Sequence, residues 1–231
     1  MREIIFDTET TGLDSREDRI IEIGGLELVN RFPSGRTFHV YLNPQGRNVH
    51  PDAQAVHGIS NADLADKPAF HEIVGEFLEF VADAKLVAHN ATFDMGFVNA
   101  ELTRIGELPI GPDRVIDTLA IARRKHPMGP NSLDALCKRY GVDNSRRSFH
   151  GALLDAELLA DVYIELMGGK QAALGLETAK TRVAVVAGEA ADETIAFVRE
   201  RRPRLSDAER EAHDELVKRL GDNAIWKRIA G

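Results

Sequence analysis

Ile4-Ile5-Phe6-Asp7-Thr8-Glu9-Thr10-Thr11-Gly12 opens as an apolar, β-branched strand and closes on acids and a glycine. Residues two apart in a strand project from one face, so Asp7 and Glu9 set two carboxylates side by side at the strand's end. Two such charges repel unless a cation sits between them. Taken alone, an acid-x-acid triplet is more often a solvated pair just beyond a strand. The rest of the chain has to decide.

Working outward, strands are expected at Glu3 to Thr8, Ile20 to Leu28, Thr37 to Leu42, Lys85 to His89 and Arg114 to Asp117. Helices are expected at Phe70 to Val81, Ala91 to Ile105, Ser132 to Tyr140 and Gly151 to Met167. The first has its stripe in Phe70, Ile73, Val74, Phe77 and Val81, an apolar face for a sheet. Three strands in succession, then strands alternating with helices, predict an antiparallel meander continued by parallel βα units. That is an α/β domain, a mixed sheet flanked by helices, over residues 1–169. Residues 170–200 are rich in Ala, Gly and Glu and read as a flexible linker. In 201–231, Ser206-Asp207-Ala208-Glu209 fits a capping box and Gly221 a helix stop, which predicts a short helical tail.

Composition narrows the function. A formal net charge of -8 argues against a protein that holds nucleic acid by broad phosphate neutralisation. A nuclease whose bound cations reverse the local field is still compatible with it. No apolar run approaches the roughly 20 residues of a membrane span, and the start of the chain carries no secretory pattern, so a cytoplasmic location is expected. The single cysteine, Cys137, reads as a buried helical position.

Familiar motifs fail on inspection. Gly168-Gly169-Lys170 ends like a phosphate loop, but Ile164 stands where the first glycine belongs. His71-Glu72 opens like a zinc-protease helix, with Gly75 in place of the second histidine. Asp7-Thr8-Glu9 fits an aspartyl phosphatase poorly, because that chemistry takes a second Asp and a later lysine. From Asp7 to Asp18 the chain imitates a calcium loop, yet a strand precedes it and Asp18 replaces the closing Glu.

Other acids occupy similar places. Asp94, in Ala88-His89-Asn90-Ala91-Thr92-Phe93-Asp94, follows a strand and opens a helix. Asp155, in Phe149-His150-Gly151-Ala152-Leu153-Leu154-Asp155, opens the last helix of the domain beside its inward stripe of Leu154, Leu158, Val162 and Leu166. Strand ends and helix starts are where α/β domains build sites. Singly, Asp94 would equally serve a helix dipole, and His150 a loop. Asp117, ending a strand, and Asp134, on a polar helix face, read as structural caps or hydrogen-bond partners.

Together, Phe6-Asp7-Thr8-Glu9-Thr10-Thr11-Gly12, His89-Asn90-Ala91-Thr92-Phe93-Asp94 and His150-Gly151-Ala152-Leu153-Leu154-Asp155 resemble, in order, the three motifs of the DEDD exonuclease superfamily, histidine subtype. Val56-His57-Gly58-Ile59 and Asn131-Ser132-Leu133-Asp134-Ala135-Leu136-Cys137 bring the resemblance closer to its proofreading branch, which serves replicative DNA polymerases. It covers Arg2 to about Gly169 strongly and the tail weakly.

The resemblance implies a ribonuclease H-like fold and 3'-to-5' removal of nucleotides from DNA ends. It implies two divalent metal ions, Mg²⁺ or Mn²⁺, with Asp7, Glu9 and Asp155 as direct ligands and Asp94 holding the second ion largely through water. Such cations prefer carboxylate and water oxygens, and a pair about 4 Å apart stabilises both attacking and leaving oxygens. His150 becomes the general base for the attacking water. Histidine's ordinary pKa of about 6.5 leaves it mostly neutral at cytoplasmic pH, as a base must be. Asp52 and His57 match the region that contacts the terminal nucleotide, with Asp52 where better-known members carry Glu. Asp7, Glu9 and Asp155 also face substrate in the family.

The tail carries the partner expectations. Gln171-Ala172-Ala173-Leu174-Gly175-Leu176 resembles the short motifs that dock in the bacterial sliding clamp, without their final aromatic. Leu216, Leu220, Ile225, Trp226 and Ile229 are more apolar surface than a lone short helix should expose, and the resemblance makes them a dock for the polymerase alpha subunit, with Trp226 as anchor. Two competing expectations are a stand-alone exonuclease acting on RNA or short oligonucleotides, and a non-catalytic accessory module. The reactive acids and His150 are all present, which speaks against the module.

Overall fold

The computed structural model describes residues 1–147, 149–169 and 207–220. The chain divides between Leu176 and Glu177 into two units, each described by itself.

The first unit is built on a five-stranded sheet of order β3-β2-β1-β4-β5. β1 (Arg2–Thr10), β2 (Ile20–Val29) and β3 (Phe32–Tyr41) form the expected antiparallel meander. β4 (Lys85–Ala88) and β5 (Val115–Asp117) run parallel to β1 on its other side. Asn30 and Arg31, both at positive φ, form the two-residue turn that joins β2 to β3. Such a turn matches the twist of the paired strands.

Among the described residues this unit has six α-helices: α1 (Pro51–His57), α2 (Phe70–Val81), α3 (Ala91–Arg104), α4 (Thr118–Lys125), α5 (Leu133–Tyr140) and α6 (Ala152–Leu166). They cover both faces of the sheet, and β1 shows how. Ile4 and Phe6 pack with Phe70 and Phe77 of α2 and with Phe97 of α3. Ile5 packs on the opposite side with Leu136 of α5 and Leu159 and Tyr163 of α6. Strand period thus assigns even residues of β1 to one core and odd residues to the other. Glu3, fully buried, follows the odd pattern and accepts a hydrogen bond from the Tyr163 hydroxyl at 2.7 Å.

Several edges differ from expectation for physical reasons. β3 begins at Phe32 rather than Thr37, because Pro33 and Gly35 sit on an exposed edge where no ladder donor is required. β5 begins after a short 3₁₀ turn, Pro112–Arg114, so Arg114 lies outside the strand. α1 and α4 were not expected. α1 takes its start from the side chain of His50 and from Pro51, and α4 from the Asp117 carboxylate, which accepts from Leu119 N at 2.9 Å. Asp117 is therefore a helix cap, as its position implied. Cys137 is fully buried on α5, again as expected.

Gly24, in the middle of β2, allows a contact that no other residue would permit. A Cβ there would lie 2.1 Å from the backbone N of Leu153. The first turn of α6 therefore rests on bare backbone beside Asp7, the cross-strand partner of Gly24.

In the second unit, α7 (Asp207–Leu220) is the described element. It lies where the tail helix was expected, and Leu216 on it is exposed. Residues 170–200 with Gln171 to Leu176, and Ser206, Gly221 and Trp226, lie outside the described residues. Among the described residues, no helix is long and apolar enough to cross a membrane.

Candidate active site

The three motif segments meet at the carboxyl end of β1. Asp7 and Glu9 project from the odd face of that strand, toward the side covered by α6. Asp155 lies in the first turn of α6, held there by the Gly24 contact, and is 2% exposed. Oxygens of Glu9 and Asp155 and a ring nitrogen of His150 lie within 4.8 Å of one another, close enough to share a metal ion. Asp94 approaches from the other face. It sits in the first turn of α3, 3% exposed, where its Oδ1 accepts from Thr8 N at 3.1 Å and Thr8 Oγ1 at 2.8 Å. Thr8, between the two acids of β1, thus fixes Asp94 from the even face.

Electrostatics binds these groups into one cluster. Burial raises Asp7 well above the usual carboxylate range, and the charges of Asp94, Glu9 and Asp155 raise it further. Burial, then Glu22 and Asp155, push Glu9 up to about 8. Asp94 is raised to about 7, chiefly by burial, against the Thr8 hydrogen bonds that favour its charged form. Acids held this far above their ordinary values have more negative charge in prospect than the surroundings can stabilise. Hard oxygen donors in that condition suit a divalent cation in both charge and chemistry.

Asp155 departs from the pattern. Burial raises it too, but bonds from His150 and Arg147 outweigh burial and bring it below its ordinary value. His150 itself is exposed, with Nδ1 3.3 Å from Asp155 Oδ2, and its backbone N–H donates to Val56 O at 3.2 Å. The loop that presents it is thereby fastened to α1.

The substrate-contact candidates divide. His57 is buried at the end of α1, where its Nδ1 accepts from Ile59 N at 3.0 Å and burial lowers its pKa. Nε2 has no hydrogen-bond partner of good geometry among the described residues, and the Thr10 carbonyl is near enough to raise the pKa slightly against burial. His57 and the exposed Phe149 line one cleft of about 450 Å³. Asp52 is almost wholly exposed in the first turn of α1 and faces a separate cleft of about 490 Å³, shared with Leu13 and Val56. The two residues therefore line different clefts, and none of the four acids lines either one.

Three residues that motif reading passes over shape the site. Glu22 of β2 is 2% exposed, stands opposite Glu9 in the ladder and lies 2.7 Å from His39 Nε2. Arg147 joins Asp155, Asp134 and His150. Gly24 admits α6. Of these, only Gly24 leaves a sequence signal, a glycine pair inside an apolar strand. His89, inside a motif, is structural: its ring nitrogens bond Thr118 Oγ1 and Asn131 O, both at 2.9 Å, and hold the loop before α5.

A mixed sheet that gathers buried carboxylates at the end of its central strand, with a histidine alongside, is the arrangement of the ribonuclease H-like nucleases. The sequence profile of the exonuclease family, RNase T type, matches residues 4–163, and the chain belongs to that family. It is similar to the DNA polymerase III subunit epsilon of Rickettsia felis, 54% identical over 177 residues, which are 75% of this chain and 77% of that protein. The subunit of the same name from Pasteurella multocida is 43% identical over 243 residues, 99% of this chain and 95% of that protein. Among solved structures, Exonuclease X in complex with 5' overhanging duplex DNA is 29% identical, with a TM-score of 0.56, covering 72% of this chain and 90% of its own.

Proposed function

We propose that this chain is the proofreading 3'-to-5' exonuclease subunit of a replicative DNA polymerase, hydrolysing the terminal phosphodiester of DNA. The observation that supports it most is the meeting of Glu9, Asp155 and His150 within 4.8 Å, beside Asp7 and Asp94. Full-length similarity to proteins named DNA polymerase III subunit epsilon supports the assignment to a polymerase.

In this reading Asp7, Glu9 and Asp155 hold the divalent ions and Asp94 steadies the second, with Mg²⁺ or Mn²⁺ equally suited by the donor set. The ions supply positive charge to stabilise the attacking and leaving oxygens. His150, exposed and anchored through its backbone, takes the proton from the attacking water. In the same reading His57 and Asp52, which line separate clefts, contact the terminal nucleotide. Because the polymerase carries most of the DNA affinity, an acidic chain suffices at the frayed end, and tethering supplies effective concentration. We assign residues 1–169 to catalysis and 201–231, with Trp226, to the alpha subunit. The linker, 170–200, carries the clamp motif Gln171 to Leu176. A replicative role places the chain in the cytoplasm with the chromosome.

The test is release of mononucleotides from 3'-labelled single-stranded DNA and its RNA counterpart, with and without Mg²⁺ or Mn²⁺, for wild type, Asp155→Ala and a chain ending at Gly169. Metal-dependent DNA digestion, lost in Asp155→Ala and retained without the tail while alpha-subunit binding disappears, is expected. Preference for RNA would replace this reading with a stand-alone exonuclease.

A further inference from the structure

Arg147 belongs to none of the three motifs, yet its side chain is only 8% exposed at the centre of the site. Nε donates to Asp155 Oδ1 and Nη2 to Asp155 Oδ2, each at 2.6 Å. Nη1 lies 2.8 Å from Asp134 Oδ1, and Nη2 also reaches His150 Nδ1 at 2.9 Å. A two-pronged guanidinium–carboxylate pair is among the stronger side-chain contacts, and here it takes both oxygens of a metal-ligand candidate.

We infer that Arg147 is a positioning residue that competes with the divalent cation for Asp155, and so sets how tightly the site binds metal. The inference rests on the proposed metal reading. A divalent ion approaching Asp155 in the plane of its lone pairs meets a cation already bonded to both oxygens. Like charges at that separation repel strongly in a partly buried setting. The geometry also provides for the exchange. Asp134 is 58% exposed and holds Nη1 independently, so the guanidinium keeps a carboxylate partner when Asp155 turns to metal. Until then the fork holds both Asp155 oxygens in place. The His150 contact couples the base to the same exchange. His150 Nδ1 lies within reach of both Arg147 Nη2 and Asp155 Oδ2, so movement of the guanidinium changes the surroundings of that nitrogen.

Mn²⁺ titration of the full-length chain, with free ion counted by electron paramagnetic resonance, tests this without turnover. Arg147→Gln should bind Mn²⁺ about tenfold more tightly than wild type. Arg147→Lys, which keeps the charge and loses the fork, should fall between them. Unchanged or weaker binding in Arg147→Gln would overturn the inference and leave Arg147 a support for its loop. Should that variant fail to fold, Arg147→Lys decides by the same criterion. Wild type that binds no Mn²⁺ at millimolar concentration would overturn the metal reading itself, and this inference with it.

Discussion

Glu9 and Asp155 face each other across the site, both buried, both pushed by burial toward the neutral form, and they end on opposite sides of their ordinary values. Glu9 on the strand side is raised to about 8, with another carboxylate, Glu22, opposite it in the ladder. Asp155 on the helix side is lowered, because His150 and Arg147 bond to it. Depth alone therefore does not set the charge of a buried acid; the sign of its nearest partner does. The site is asymmetric, with a strand half in need of a cation and a helix half already supplied with one.

The sharpest way to break this comparison is to neutralise one acid on each side. Asp7→Asn and Asp155→Asn should each reduce DNA hydrolysis by on the order of 10³-fold, since either removes several kcal/mol of transition-state stabilisation. Their melting temperatures in chelator should move oppositely. Asp7→Asn relieves repulsion and should raise Tm by a few degrees, whereas Asp155→Asn strips Arg147 of its main partner and should lower it. Parallel shifts measured by scanning fluorimetry would mean the two halves are alike.

His150→Ala should lower kcat by roughly 10²- to 10³-fold and leave KM nearly unchanged, the mark of a lost base. Steady-state kinetics on single-stranded DNA checks it. Gly24→Ala comes next. Its methyl group would strike the Leu153 backbone and shift Asp155 away from Asp7, so a fall of about 10²-fold is expected even if the chain folds. Normal activity in a folded Gly24→Ala protein would show that the close approach does not position the acid.

The smallest effect is on pH dependence. With Glu9 raised to about 8 and Asp94 to about 7, the folded protein in chelator holds protons that the unfolded chain has released. Stability should therefore fall as pH rises from about 5 through 8. Asp155 acts the other way: its contribution is present above the ordinary carboxylate pKa of about 3.9 and is lost as pH falls through its lower folded value. Tm in chelator should peak in mildly acidic buffer, and saturating Mg²⁺ should remove the decline above it. A flat alkaline limb in chelator would show that Glu9 and Asp94 are not held protonated.

Much of this arrangement was legible beforehand. Helix period placed α2 to the residue, and strand period put Asp7 and Glu9 on one face. The motifs carried Asp94, His150 and Asp155. α1 and α4 escaped because each is short and owes its start to a cap and a turn residue rather than to an apolar stripe. The start of β3 escaped because edge strands tolerate the proline and glycine that usually mark turns.

The sequence by itself determined the chemistry available to this protein: four acids and a histidine on elements whose periodicity puts them at the ends of strands and the starts of helices. Those properties are local, set by backbone period and side-chain type, and a linear pattern can express them. Only the tertiary structure decided their charge. The Glu9–Glu22 register, the seating of α6 on Gly24 and the reach of Arg147 to Asp155 and Asp134 join residues far apart in the chain or lying in irregular loops. Electrostatic energy depends on those separations and on burial, and neither exists until the chain has folded.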